Sequence, residues 1–521
     1  MVTSYLQPGQ ADLPSKKATA SYWHREPSRT LLGHRTTEIL PGTADVVIVG
    51  SGITGAFAAK TAKEAWARDL SVVMLEAREA CWGATGRNGG HCQPNTYASK
   101  PHIAEFEMRT FDYLKDIVEA NAIPCHWTSL TGCHALFTQN LVDRAAANLE
   151  HIRRADPKLE DAAALITHKH KDPEAEMSLG ELRITRACGA VVQRRAASLW
   201  PYKLVCWVLE DLLARFTAES FALHTLTAVD SLQRCGNVWL VHTNRGVMAA
   251  KQVLVATNAY TSRILPGFAR IIVPVRGQVA ALVPRAGCEE RVGRLRNSYV
   301  FLGEPEPASA PVMDDYLVQV AGPGRGEFIF GGARALGVGR GVGVSADDEI
   351  DADVAEHLVR GLPGVLDMME GVESNGQQAE RKTEGDNSAA AKPNGVQFSA
   401  THEWTGIMGF SADGHPWVGR VPENAGGSDA GLWMCAGYTG HGMAGAALAA
   451  KAVVELMGGR DVGDVDLPSE YMASSERYAA AAAAAAAAAV EMVAEADGGG
   501  VGEQVGRRAG GAETRQRWTG I

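Results

Sequence analysis

The run Val46-Val47-Ile48-Val49-Gly50-Ser51-Gly52-Ile53-Thr54-Gly55, with Leu75-Glu76 downstream, constrains this chain more than any other stretch. It reads as a buried parallel strand, a glycine-rich turn, a helix start and, at Ser71-Val72-Val73-Met74-Leu75, a second strand ending in an acid. Gly50 permits the tight turn, Gly52 lets a phosphate approach the backbone, and Gly55 lets the helix lie close to the sheet. The positive end of the helix then faces the phosphates. Glu76 follows about 20 residues after the glycines, where a carboxylate accepts ribose hydroxyls. An ordinary strand-turn-helix explains neither the three glycines together nor the acid. The pattern predicts dinucleotide binding.

Composition narrows the class. The 521 residues are 46% hydrophobic and 21% charged, with a net charge of -10, as expected of a globular protein large enough for two or more domains. The acidic balance argues against nucleic acid and anionic membrane as partners. No apolar run of about 20 residues occurs outside alanine-rich sequence, and no basic-then-apolar leader is visible, so no membrane span or secretion is expected. Nine scattered cysteines fit reduced thiols in a cytoplasmic protein. Cys125-His126 and Cys133-His134 lack any CxxC, so no metal is expected.

Three more small-residue clusters follow the first turn. They are Gly83-Ala84-Thr85-Gly86-Arg87-Asn88-Gly89-Gly90-His91, Ala256-Thr257-Asn258-Ala259 after the strand Val253-Leu254-Val255, and Gly437-Tyr438-Thr439-Gly440-His441-Gly442-Met443 before the last convincing helix, Ala444 to Met457. Each allows backbone to approach a ligand closely. One nicotinamide-binding unit does not need a distant C-terminal cluster, whereas an extended FAD could use all four.

On these motifs the chain resembles FAD-dependent amine and amino-acid oxidoreductases of the D-amino-acid oxidase, glycine oxidase and sarcosine oxidase superfamily. Within it the likeness is to γ-glutamylputrescine oxidase-type members, which share the Gly83 to Gly90 segment. Pro274-Val275-Arg276-Gly277-Gln278 and the Trp404 to Met443 region add to it. The resemblance implies an α/β fold: a discontinuous Rossmann-like FAD-binding domain (44–100, 197–270 and 403–460) and a second, mixed-sheet substrate domain (101–196 and 271–402, with a polar insertion at 371–400). Residues 1–43 are expected as an extended arm lying on the body. Residues 470–521 are expected as a low-complexity tail whose alanine run, Ala479 to Ala489, forms a helix without specific packing.

The same resemblance implies the contacts. Gly50, Ser51, Gly52, Ile53 and Thr54 would hold the pyrophosphate, with Gly55 behind them, and Glu76 the adenosine ribose. Ala77 and Arg78 would border the adenosine end, and Val229, Ala256 and Asn258 would close it. Ala84, Thr85, Arg87, Asn88, Gly89 and Gly90 would run toward the isoalloxazine ring. Gly437, Gly440, His441, Gly442 and Met443 would meet flavin O2, where charge develops on reduction. No cysteine stands in Ile407-Met408-Gly409, where sarcosine oxidase-type members attach flavin, and Arg87 falls near the place of another subfamily's linking histidine, so FAD is expected to be non-covalent.

The implied reaction is oxidation of the C–N bond of a primary or secondary amine, or amino acid, to an imine by hydride transfer to flavin, with oxygen or another carrier as final acceptor. Glu403-Trp404-Thr405-Gly406-Ile407-Met408 carries no carboxylate-clamping arginine, which favours an amine over a simple α-amino acid. His91 and Trp404 are the substrate-pocket candidates; the alternatives are a satisfied loop histidine and a core tryptophan. Arg276 is expected near the flavin or in a structural pair. Rival readings are a flavin-binding sensor or scaffold without turnover, and an NAD(P)-dependent dehydrogenase with Arg78 on a 2'-phosphate.

Overall fold

The computed structural model describes residues 6–66, 70–168, 177–184, 186–286, 292–305, 312–321, 326–368, 396–428 and 431–497. Two sheets organise them. The first runs in the order Trp417–Arg420, Leu432–Ala436, Gly246–Val255, Thr43–Val49, Val72–Leu75 and Phe221–His224, with the hairpin strands Val229–Cys235 and Val238–Thr243 added at Gly246–Val255. Its central strands are parallel and almost wholly apolar, as strands covered on both faces must be. Thr43–Val49 is the switch point, because the chain leaves it for Val72–Leu75 on one side and returns as Gly246–Val255 on the other. A crevice at the carboxyl ends of such strands is where ligands sit in open α/β sheets.

Helix Ile53–Ala65 packs against helix Gly442–Met457 on this sheet. Both are rich in alanine and glycine, so the two axes approach closely. Pro201 starts helix Pro201–Arg215 at its first position, where its missing N–H costs nothing.

The second sheet has the order Phe398–Ser411, Ile272–Pro284, Phe328–Gly332, Met313–Gln319, Asn297–Gly303, Thr128–Leu136, Gly189–Ser198 and His91–Cys92, with Ala163–Thr167 beside Gly189–Ser198. It is mixed: Asn297–Gly303 and Thr128–Leu136 run parallel, and the other named pairs are antiparallel.

Several expectations are corrected here. Residues 403–411, placed by sequence with the cofactor segments, pair with Ile272–Pro284 in the second sheet. The segment 396–400 is no polar insertion, since Val396 and Phe398 are buried and Phe398 opens a long strand; residues 371–395 lie outside the described residues. The arm does not simply lie on the body: Ala11, Tyr22 and Trp23 are fully buried. The alanine helix, Ser475–Asp497, does pack specifically over its first turns, where Ala481 is buried and Arg477 pairs with Asp413 at 2.7 Å. Residues 498–521 lie outside the described residues.

Candidate active site

Gly50 leaves the first strand at φ +106°, and a Cβ there would stand 2.7 Å from the carbonyl oxygen of Ala256. Only glycine combines that conformation with that approach. A Cβ on Gly55 would collide with the Gly50 carbonyl, so Gly55 serves packing, as the motif requires. Helix Ile53–Ala65 starts at Gly52 with no side-chain cap and no acid in its first turn. The Ile53 N–H donates to Thr85 Oγ1 at 3.1 Å, and the positive end of the helix dipole beside it favours an anion.

Glu76 meets this turn from the neighbouring strand. Its Oε2 accepts the Ser51 N–H at 3.0 Å and the Ser51 Oγ–H at 2.7 Å, and its Oε1 accepts the Arg78 N–H at 2.9 Å. Ser51 is thus engaged with Glu76 as well as lining the cavity. Oε2 thus spends both lone pairs on Ser51, and Oε1 keeps one for a ligand hydroxyl.

A second helix start faces the same space. Helix Gly442–Met457 begins at His441, again without a side-chain cap, and the turn before it carries Thr439 at φ 50°. Asn258 fixes this turn: its Oδ1 accepts the N–H of Gly437 at 3.0 Å and of Tyr438 at 3.4 Å. All the cofactor residues expected from sequence line one cavity, except Gly55, Gly90 and Gly437. Gly90 lies against Trp23, and Gly437 against Ile272 and Trp417. Two helix starts, a carboxylate oxygen with a free lone pair and a wall of small residues suit a long molecule that is anionic in its middle. FAD fits that description.

Arg78 and Arg87 of the cavity are committed to protein partners. Arg78 Nη1 lies 2.9 Å from both carboxylate oxygens of Asp347, its Nη2 donates to the Trp82 carbonyl at 2.6 Å, and Arg87 Nε stands 3.2 Å from Asp347. Burial pulls Arg87 down to about 10, against the pull of Asp347. Arg78 is thus paired already, which disfavours the 2'-phosphate role of the NAD(P) reading.

At the other end, toward the second sheet, His91 belongs to a network whose polarity is determined. The Thr96 backbone N–H reaches Gln193 Oε1 at 2.8 Å, so Gln193 presents its amide to His134 Nε2 at 3.1 Å. Gln93 also presents its amide to that nitrogen at 2.7 Å. Gln93 Oε1 must then accept from Ser298 Oγ at 2.9 Å, and Ser298, its proton spent, accepts from His91 Nδ1 at 3.1 Å. His91 Nε2 is left as a bare acceptor, buried and without a partner. Desolvation pulls His91 and His134 down to about 3, so both rings are neutral near pH 7.

Tyr316 packs edge-on to His91, with ring centroids 5.3 Å apart. Asp314, on the same face of strand Met313–Gln319, receives Arg334 Nε at 2.8 Å and Nη2 at 2.7 Å on Oδ2, while its Oδ1 is buried without a partner. Both residues line the cavity. Sequence reading missed Asp314, Tyr316 and Arg334. Two adjacent acids inside a strand are unusual enough to have marked the place. Arg334 follows Ala333 at φ 52° and lines the same cavity.

Trp404 is corrected. It is 0% exposed and absent from the cavity wall; its Nε1 donates to the Arg87 carbonyl at 2.8 Å and its ring stacks on Tyr22. Arg276 pairs with Glu349 at 3.3 Å and also does not line the cavity. Cys435 is buried outside the cavity wall.

Residues 45–456 match the family model described as FAD dependent oxidoreductase, DAO. The chain belongs to this family. FAD is its cofactor. Gamma-glutamylputrescine oxidoreductase of Escherichia coli (strain K12) is 22% identical over 444 residues, which cover 80% of this chain and 84% of that one. Among solved structures, L-amino acid deaminase from Proteus myxofaciens in complex with anthranilate superposes with a TM-score of 0.59 at 14% identity, covering 86% of this chain and 97% of that one. Glycine oxidase from Geobacillus kaustophilus gives 0.57 at 16% identity, covering 81% and 96%. At these identities the likeness shows a shared fold.

Proposed function

We propose that this FAD-dependent oxidoreductase oxidises the C–N bond of a primary or secondary amine that carries a charged, carboxylate-bearing end. The observation that carries the reading is the pairing, in one cavity, of two helix starts with an end lined by His91, Asp314 and Arg334. Bound FAD supplies the acceptor for the hydride, two electrons and a proton, by which an amine becomes an imine. The chain's own residues bind, orient and exclude water.

The two helix starts hold the negative pyrophosphate, with Glu76 on a ribose. Neutral His91 accepts an N–H of the substrate amine, which orients the nitrogen, while desolvation in the cavity disfavours its ammonium form and leaves its lone pair available. Tyr316 covers the ring and shields it from water. Asp314 and Arg334 form a dipolar pair suited to the substrate's charged end, where an arginine receives carboxylate in planar geometry. The E. coli relative is named for gamma-glutamylputrescine, and the structural neighbours for amino acids.

The cavity wall holds no cysteine among the described residues, and Arg87 stands near the place of the other subfamily's linking histidine, which supports FAD held without a covalent bond. The eight described cysteines are free, which supports a reducing, cytoplasmic setting. Among the described residues no helix is long and apolar enough to cross a membrane.

The test is a turnover screen of amines with and without a carboxylate, reading the carbonyl formed when the imine hydrolyses. Arg334→Met should raise KM for carboxylate-bearing amines and leave their uncharged analogues nearly unchanged. Equal effects on both sets would remove Arg334 from substrate recognition. Carbonyl formation from none of them would overturn the amine reading.

A further inference from the structure

The segment Ala11–His24 takes no part in the scheme above, yet Ala11, Ser21, Tyr22 and Trp23 in it are buried. We infer that this arm is a working part of the FAD site: it sets the loop Gly83–Gly90 from behind and adds Leu13 and Pro14 to the cavity wall, and so governs how slowly FAD leaves.

The loop supplies Ala84, Thr85, Arg87, Asn88 and Gly89 to the cavity. Three consecutive carbonyls of this loop are bound by side chains from the arm and its neighbour strand. Ser21 Oγ donates to Gly86 at 2.8 Å, Trp404 Nε1 to Arg87 at 2.8 Å, and Trp23 Nε1 to Asn88 at 2.6 Å. With its carbonyls held this way, the loop has one backbone orientation to offer a ligand.

Arg87 is fixed through the same arm. Its Nη2 donates to the Thr19 carbonyl at 2.5 Å and to Thr19 Oγ1 at 2.6 Å, while the Thr19 N–H donates to the Asp347 carbonyl at 2.8 Å. Thr405 N–H also donates to Thr19 Oγ1, at 2.9 Å. Thr19 thus joins the loop, the Asp347 segment and the second sheet.

The arm is anchored on both sides of its cavity-facing part. The Ala11 N–H donates to Ser262 Oγ at 2.9 Å, and Trp200 Nε1 donates to the Trp23 carbonyl at 2.7 Å. Between these anchors Leu13 and Pro14 reach the cavity, and the Ser15 carbonyl accepts Arg78 Nη1 at 3.4 Å. A segment that only covered apolar surface would not need hydrogen bonds to three elements of a cofactor site.

The inference rests on the cavity being the FAD site, and the wild-type holoprotein is the reference. The experiment compares wild type with the double variant Thr19→Val, Trp23→Phe. It measures FAD dissociation into an excess of a scavenging apoprotein that binds FAD tightly, and thermal midpoints of apo and holo forms. Losing two loop-setting contacts of ordinary strength should speed FAD release about tenfold, and shrink the rise in midpoint that FAD confers. Unchanged release, with apo and holo midpoints falling equally, would reduce the arm to a structural element and overturn the inference. If the double variant does not fold, Leu13→Ala decides, since Leu13 is only half-buried: faster release supports the arm's role, and a wild-type rate overturns it.

Discussion

Asn258 Oδ1 accepts the backbone N–H of Gly437 at 3.0 Å. This bond joins the small-residue cluster after strand Gly246–Val255 to the turn that starts helix Gly442–Met457. Both line the cavity, so one side-chain amide sets the relative position of two walls. Asn258→Ala leaves the N–H groups of Gly437 and Tyr438 without their acceptor, which costs about 1–3 kcal/mol when such groups are buried. FAD titration of the apoprotein should show affinity weakened about tenfold or more. Wild-type affinity would mean that the turn holds its shape without Asn258.

Gly52→Val and Glu76→Ala separate two demands on the first turn. A Cβ on Gly52 stands 3.2 Å from Thr85 Oγ1, which accepts the Ile53 N–H, and a valine also fills the space before the helix start. That variant should purify without flavin. Glu76→Ala loses the ribose contact and also frees both groups of Ser51, so affinity should fall by more than the ~1.5–3 kcal/mol of one charge-assisted contact. Flavin content and titration of the two proteins measure this. Full flavin in Gly52→Val would contradict the placement of the phosphates.

Trp404 should behave as a core residue. Truncation to alanine removes a fully buried ring and the donor to the Arg87 carbonyl, and should destabilise the fold by about 3–5 kcal/mol. Trp404→Phe keeps most of the volume and should retain amine turnover with a lowered thermal midpoint. A change in substrate preference without loss of stability would return Trp404 to the pocket.

Buried histidines make a pH-dependent term with a definite sign. His91 and His134 are pulled from 6.5 to about 3 in the folded protein, chiefly by desolvation. Above pH 6.5 both states are neutral and the term vanishes. As pH falls below 6.5 the unfolded chain takes up protons that the folded one refuses. Each histidine then lowers stability by about 1.4 kcal/mol per pH unit, until the pH nears 3. In His134→Gln one such group is gone, so urea unfolding should show its stability falling less steeply than wild type between pH 6 and pH 4. Parallel curves would contradict the assignment.

What the sequence revealed follows from which interactions are local. The strand, turn and helix around Gly50 and Gly55 are coded by neighbours within ten residues, and the runs of Val and Ile announce the parallel strands; both were legible. The family likeness extended that reading to the later clusters. Trp404 was misplaced because its burial depends on Tyr22, 382 positions away in the chain as numbered. Arg334 and Asp314 were missed because their meeting depends on the pairing of strands Met313–Gln319 and Phe328–Gly332. The alanine run looked featureless, yet Arg477 and Tyr478 just before it carry the packing that holds its start.

The most direct measurement is anaerobic titration of the wild-type holoprotein with carboxylate-bearing primary and secondary amines, following flavin absorbance. At least one such amine should bleach the yellow absorbance with one equivalent of carbonyl product per flavin, and acid precipitation afterwards should leave FAD in the supernatant. A flavin that dithionite bleaches but no amine or amino acid reduces would contradict it.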